Sequence, residues 1–111
     1  MQSDVYRLSY YTDEQGNKPF REWLLALRDQ IAVVRIRARL TRLRAGNFGD
    51  IRSVGAGVFE LKVDHGPGYR VYYALDDTTV VLLLCGGDKR TQQRDIETAR
   101  RFWKNQQERK A

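Results

Sequence analysis

Between residues 58 and 63 the chain alternates. Val58, Glu60 and Lys62 fall on one side and Phe59, Leu61 and Val63 on the other, the period-two pattern of a half-buried strand. The first set reads as a charge-bearing face and the second as core. The turn His65, Gly66, Pro67, Gly68 supplies one fixed φ and two positions free to take positive φ, so residues 69–74 are predicted to return antiparallel as a hairpin. With Asp64 opposite Gly68, Lys62 faces Arg70 and Glu60 faces Tyr72, which puts Glu60, Lys62, Arg70 and Tyr72 on one sheet face. Tyr69 and Tyr73 then belong to the core face. Residues 79–85 are apolar at nearly every position, as in a central strand buried on both sides. That run stops at Gly86, Gly87, Asp88, Lys89, Arg90, which places Lys89 and Arg90 at the sheet rim within reach of Arg70.

Residues 5–11 alternate as a first strand. Asn17 as cap and Pro19 in the first turn open a short helix whose Phe20, Trp23, Leu24 and Leu27 make one apolar stripe. Residues 34–40 alternate apolar residues with arginine like a strand, yet Val33, Ile36, Leu40 and Leu43 form a helical seam. Length and the Ala, Leu and Arg content decide for a helix, ended by Gly46 or Asn47. Residues 47–57 are a Gly-rich connector in which 51–54 can pair briefly. Thr91 then caps a last helix striped with Ile96, Ala99, Phe102 and Trp103. The expected fold is α+β: a small antiparallel sheet with two N-terminal helices packed on it and a C-terminal helix, in the order β-α-α-β-β-β-α, as one domain over residues 1–111.

A formal charge of +6, from 20 Lys and Arg against 14 Asp and Glu, favours an anionic partner. Arg35, Arg37, Arg39, Arg42 and Arg44 stand without matching acids on the second helix, which reads either as a solvated face or as a phosphate-contacting, RNA- or ribosome-binding surface. One cysteine and one histidine provide neither an internal disulfide nor a metal-ligand set, and Cys85 reads as a small buried hydrophobe. No apolar run is long enough for a bilayer and no signal-peptide pattern opens the chain, so a cytoplasmic protein with no membrane contact is expected.

Cleaving RNA through a ribose 2′-hydroxyl needs a proton acceptor, cations for the charge building on the phosphate, and a donor for the leaving 5′-oxygen, with no metal or other cofactor. Arg70 is the best phosphate clamp, on a strand that fixes where its planar fork points. Its position between Tyr69 and Val71 predicts little contribution to packing. Lys89 and Arg90 add charge stabilisation and a proton for the leaving group. Glu60 and Lys62 are alternative bases, with His65 in the turn a further candidate, and Tyr72 is placed to stack on a base.

The string GPGYRVYYA, a short acidic turn, and then LLLCGGDKRTQQRDIETA resembles the RelE/ParE superfamily of bacterial toxins, in its phage Gp49-like and HigB-like branch. The resemblance covers essentially the whole chain and is strongest over residues 66–99. It implies a RelE-like fold. It also matches Arg70 to the family's strand arginine, and Lys89 and Arg90 to the Lys-Arg pair after its last strand. Family members cleave messenger RNA in the ribosomal decoding site, so the implied function is a ribosome-dependent endonuclease that inhibits translation. The implied partners are the ribosome, messenger RNA and a cognate helix-turn-helix antitoxin, with operator DNA reached only through the antitoxin complex. Several relatives carry basic residues where Glu60 and Lys62 stand, which leaves the base open. Two other readings compete: a ParE-like gyrase inhibitor without ribonuclease activity, and a basic RNA-binding protein without catalysis.

Overall fold

In the computed structural model, which describes residues 4–111, the elements run β1 (Arg7–Tyr10), α1 (Pro19–Ala26), α2 (Gln30–Arg44), β2 (Ile51–Ser53), β3 (Val58–Val63), β4 (Tyr69–Asp76), β5 (Val80–Asp88), a 3₁₀ turn (Lys89–Thr91) and α3 (Gln92–Lys110). The five strands form one sheet in the order β1-β5-β4-β3-β2. Its hairpin ladders are antiparallel, as expected, while β1 adds parallel to β5 because two helices carry the chain across before it returns. The central hairpin has the predicted register, with Glu60 opposite Tyr72 and Lys62 opposite Arg70. Gly68 makes it possible: its φ of 77° is a conformation that residues with a Cβ rarely adopt.

The segment that reads as either strand or helix is α2. Its Ile36, Leu40 and Leu43 pack with Phe20 and Leu24 of α1 on Leu61, Val71, Tyr73 and Leu83. Asp29 caps it by accepting from the Ile31 and Ala32 amides, and Gly46, at φ 92°, follows its end. α1 is entered differently than expected. Lys18 holds the cap position without a side-chain bond, and Asn17 is drawn instead into the turn at Asp13.

The opposite sheet face departs most from the sequence reading. It is a second core, where α3 lays Ile96, Ala99 and Trp103 on Val58, Tyr72, Ala74, Leu82 and Leu84. Glu60 and Arg70 lie at the edge of this layer and are themselves buried. The sheet end is pinned from both sides. A Cβ on Gly86 would run into the Trp23 ring of α1, and one on Gly87 into the Asp95 carboxylate of α3. The di-glycine is therefore where two helices approach the same strand, one on each face.

Candidate functional site

Strand pairing assembles the candidate site one row at a time. Arg52, Glu60, Tyr72 and Cys85 are consecutive cross-strand partners on β2, β3, β4 and β5, and the next row holds Lys62, Arg70 and Gly87. Because Gly87 has no side chain, its place is taken by Asp95, whose carboxylate accepts from the Thr91 hydroxyl at 2.5 Å. A cleft of about 270 Å³ opens over these rows, walled by Asp50, Ile51, Arg52, Glu60, Lys62, Arg70 and Gln92.

Glu60 is the hub. Its carboxylate accepts from Arg52 Nε at 2.9 Å, Gln92 Nε2 at 2.9 Å and the Tyr72 hydroxyl at 3.0 Å. Burial pushes its pKa up, but the bonds from Arg52, Gln92 and Tyr72 outweigh burial and hold the group below the ordinary carboxylate range. Tyr72 is shifted the other way, well above the usual phenol range, by burial and by the neighbouring Glu60 charge. The Tyr72 ring is wholly enclosed, so it has no face to offer a nucleotide base, contrary to the sequence expectation.

Arg70 also differs from its expected setting. Only 6% of it is exposed, so it belongs to the packed interior. Nη1 donates to the Gly68 carbonyl at 2.6 Å, while Nε stands 4.0 Å from Glu60 Oε2 and has no hydrogen-bond partner among the described residues. Lys62 and Lys89 are exposed, and the Lys89 Cβ lies 3.9 Å from where a Cβ on Gly68 would sit, beside the Arg70 guanidinium. Arg90 is turned outward into a 2.9 Å ion pair with Asp88, and each partner stabilises the other's charged form.

The remaining predicted residues separate into groups. His65 lies away from the cleft and bonds Asp29, the cap of α2, at 2.9 Å, which ties the hairpin turn to that helix. Arg39 is structural: it donates to the Lys62 carbonyl at 2.6 Å and the Phe48 carbonyl at 3.2 Å, clamping α2 to the end of β3. Arg35 and Arg42 flank it in a shallow hollow shared with Val63 and Asp64, on the α2 side of the sheet and apart from the cleft. Arg37 and Arg44 lie on another face of α2, near β1. Arg52 and Gln92 escape sequence reasoning. Arg52 sits in a three-residue strand, and only its pairing with Glu60 gives it a role; Gln92 is an ordinary polar residue at a helix start.

Cys85 is buried, its thiol pushed up to about 12 by burial, which makes it inert at neutral pH. Among the described residues no cluster of His, Cys, Asp and Glu could hold a metal ion, and no helix is long and apolar enough to cross a membrane. The cleft joins a buried cation, Arg70, to Arg52, Lys62 and Gln92 on walls that also carry the Asp50 and Glu60 carboxylates, and the cations outnumber the acids three to two, which leaves a net positive space compatible with a phosphate group.

Residues 22–104, which include every wall of the cleft, match the family of phage-derived Gp49-like proteins. An uncharacterized protein of Haemophilus influenzae is 52% identical over 81 residues, covering 73% of this chain and 82% of that protein. With three quarters of its length matched, the chain belongs to the Gp49-like phage-derived protein family, a RelE/HigB-like toxin family.

Proposed function

We propose that this protein is the toxin of a toxin–antitoxin module and that it cleaves messenger RNA on translating ribosomes. The observation that carries the reading is the Arg70 guanidinium, buried yet with Nε unpartnered, beside a cleft walled by Arg52, Lys62 and Gln92. A buried cation with an unmet donor favours an anionic ligand that fits its fork. In this mechanism Arg70 holds the scissile phosphate, and the 2′-oxygen attacks phosphorus. The 5′-oxygen leaves, producing a 2′,3′-cyclic phosphate and a 5′-hydroxyl end. Lys89, at the turn beside Arg70, stabilises the charge that builds and protonates the leaving oxygen. Glu60 already takes three donors and is a weak base, so it serves as counter-ion to Arg52 and Arg70. The 2′-hydroxyl proton passes to water at the open mouth of the cleft, where Lys62, opposite Arg70, adds positive charge beside the phosphate. Arg35 and Arg42, exposed on α2, contact the ribosomal RNA backbone, and the cognate antitoxin, a helix-turn-helix protein, carries any contact with operator DNA.

The test is primer extension on a translated and an untranslated message after induction of each variant. Arg70→Ala is expected to lower cleavage on the order of a hundredfold to a thousandfold. Because Arg70 is buried, that variant also perturbs folding. Arg70→Lys, which keeps a charge near Glu60 but loses the planar fork, separates chemistry from folding and should recover only part of the rate. Full cleavage by a folded Arg70→Lys or Arg70→Ala protein removes Arg70 from the site. Absence of cleavage by the wild type on either message overturns the reading.

A further inference from the structure

The turn between β3 and β4 stands between two anchored parts of the fold, the start of α2 and the Arg70 guanidinium. On the outer side, Asp29 divides its carboxylate between two tasks. Oδ1 caps α2 by accepting from the Ile31 amide at 3.0 Å and the Ala32 amide at 3.1 Å, while Oδ2 lies 2.9 Å from His65 Nε2. The Ala32 amide, and after it the His65 ring, hold the Asp29 carboxyl below its ordinary range, so Oδ2 is an acceptor and Nε2 its donor. The imidazole also stacks on Tyr69, with 6.5 Å between centroids, and Tyr69 meets Trp23 of α1 edge-on at 6.2 Å. On the inner side, the Gly68 amide donates to the His65 carbonyl at 3.0 Å, and the Gly68 carbonyl accepts from Arg70 Nη1 at 2.6 Å. Three successive hydrogen bonds therefore join Asp29, His65, Gly68 and Arg70.

The last of these is the one hydrogen bond to the Arg70 side chain among the described residues, since Nε has none and Glu60 stands 4.0 Å away. Where the Gly68 carbonyl goes, the planar fork follows. Gly66 and Gly68, both at positive φ, make the turn conformationally permissive, so an outside tie decides where it settles. α2 is a firm frame for that tie, because Ile36, Leu40 and Leu43 are buried in the core and Arg39 holds the Lys62 carbonyl just before the turn. We infer that His65 is a positioning residue for the reaction: its bond to Asp29 sets the turn, the turn sets the Gly68 carbonyl, and that carbonyl aims the Arg70 guanidinium at the scissile phosphate. The inference rests on the reading of Arg70 as the phosphate clamp. His65 lines no part of the cleft, so it acts through the backbone and takes no proton from the substrate.

The experiment compares the wild type with His65→Ala, His65→Gln, Asp29→Ser and the double variant His65→Ala/Asp29→Ser, each held below its unfolding midpoint. Cleavage is read by primer extension on a translated message, and the order of the clamp by NMR of hydrogen exchange at Arg70 Nε. Glutamine keeps an amide donor near the place of Nε2, and serine keeps the α2 cap without reaching His65. His65→Ala and Asp29→Ser should each speed exchange at Arg70 Nε and lower cleavage on the order of tenfold to a hundredfold, as a small misplacement of a catalytic group does. The double variant should lose no more than either single one, because both cut the same bond. His65→Gln should recover most of the rate. Unchanged cleavage and unchanged Nε exchange in folded His65→Ala, even with a lowered unfolding midpoint, overturn the inference and leave the bond a tie of the fold alone. Losses that multiply in the double variant overturn it too, as does a His65→Gln protein as slow as His65→Ala, which would make the imidazole a proton carrier. A wild type that cleaves no message overturns the ribonuclease reading by itself; faster Nε exchange in His65→Ala then still supports the positioning tie, and unchanged exchange overturns it.

Discussion

Glu60 offers the sharpest test of how the cleft is built. Removing it as Glu60→Ala takes the acceptor from three donors at once. Arg52 is mostly exposed and regains water, so its loss counts for little. The Tyr72 hydroxyl does not, and an unsatisfied buried donor costs about 1–3 kcal/mol. Arg70, 6% exposed, loses its neighbouring carboxylate, and breaking a buried ion pair by removing one partner typically costs about 3–5 kcal/mol. The 4.0 Å separation weakens that pair, so the expected total for Glu60→Ala is about 3–5 kcal/mol, most of a small domain's margin. Glu60→Gln keeps the shape and one acceptor and should cost less. Urea unfolding followed by the fluorescence of Trp23 and Trp103 measures both. The pH dependence gives a second signature. Glu60 titrates lower folded than unfolded, so its stabilisation is present above the unfolded carboxylate range and is lost as pH falls through its folded pKa. Wild type should therefore approach Glu60→Gln in stability as the solution is acidified below about pH 4. A Glu60→Ala protein within about 1 kcal/mol of wild type at neutral pH would refute the hub and return Glu60 to the role of a free base.

Three further outcomes are expected. Arg39→Ala should destabilise by about 1.5–3 kcal/mol, since its charged donors hold two backbone carbonyls, whereas Arg35→Glu/Arg42→Glu should leave the unfolding midpoint unchanged and weaken ribosome binding most at low ionic strength; equal midpoints for both proteins would remove the distinction. Gly87→Ala should cost at least about 1–3 kcal/mol from overpacking against Asp95 and should lower cleavage by shifting the turn that carries Lys89, read by unfolding and primer extension together. Asp95 titrates higher folded than unfolded because burial disfavours its charge, so its unfavourable effect grows as pH rises through the folded pKa. Asp95→Asn should thus raise the unfolding midpoint at pH 7, and the gain should vanish in acid; a loss of stability at pH 7 would show that the Thr91 bond outweighs burial.

The central hairpin was legible because two independent signals agree on it. The alternation over 58–63 and the four-residue turn each dictate the same pairing, and a one-residue slip would move Leu61 and Val63 out of the core. The α2 helix was legible from its Ile36, Leu40 and Leu43 seam despite the competing alternation. What the sequence concealed was that the charged side of β3 is also covered. Alternating Glu60 and Lys62 look like a solvated face when β3 is read alone. The available signal lay elsewhere, in β5, apolar on both sides, and in the stripe Ile96, Ala99, Trp103, which needs a surface to cover. Reading those two together predicts a helix on the second face. It also predicts that any charge beneath that helix must have partners supplied by neighbouring strands.

Those partners account for a buried arginine in so small a protein. A guanidinium free in water is fully hydrated, and a phosphate must displace that shell before it can bind. Here the fold has already removed much of the water from Arg70, restoring one bond through Gly68 and an attraction through Glu60, while leaving Nε unmet. Glu60 can do this because Arg52, Tyr72 and Gln92 fix its carboxylate, two of them from adjoining strands and one from the start of α3. In the proposed mechanism, stability and anion binding consequently draw on the same carboxylate. Substitutions of Arg52 or Gln92, neither of which carries the phosphate in this mechanism, should loosen Glu60 and lower phosphate affinity in proportion to the mobility they give Arg70.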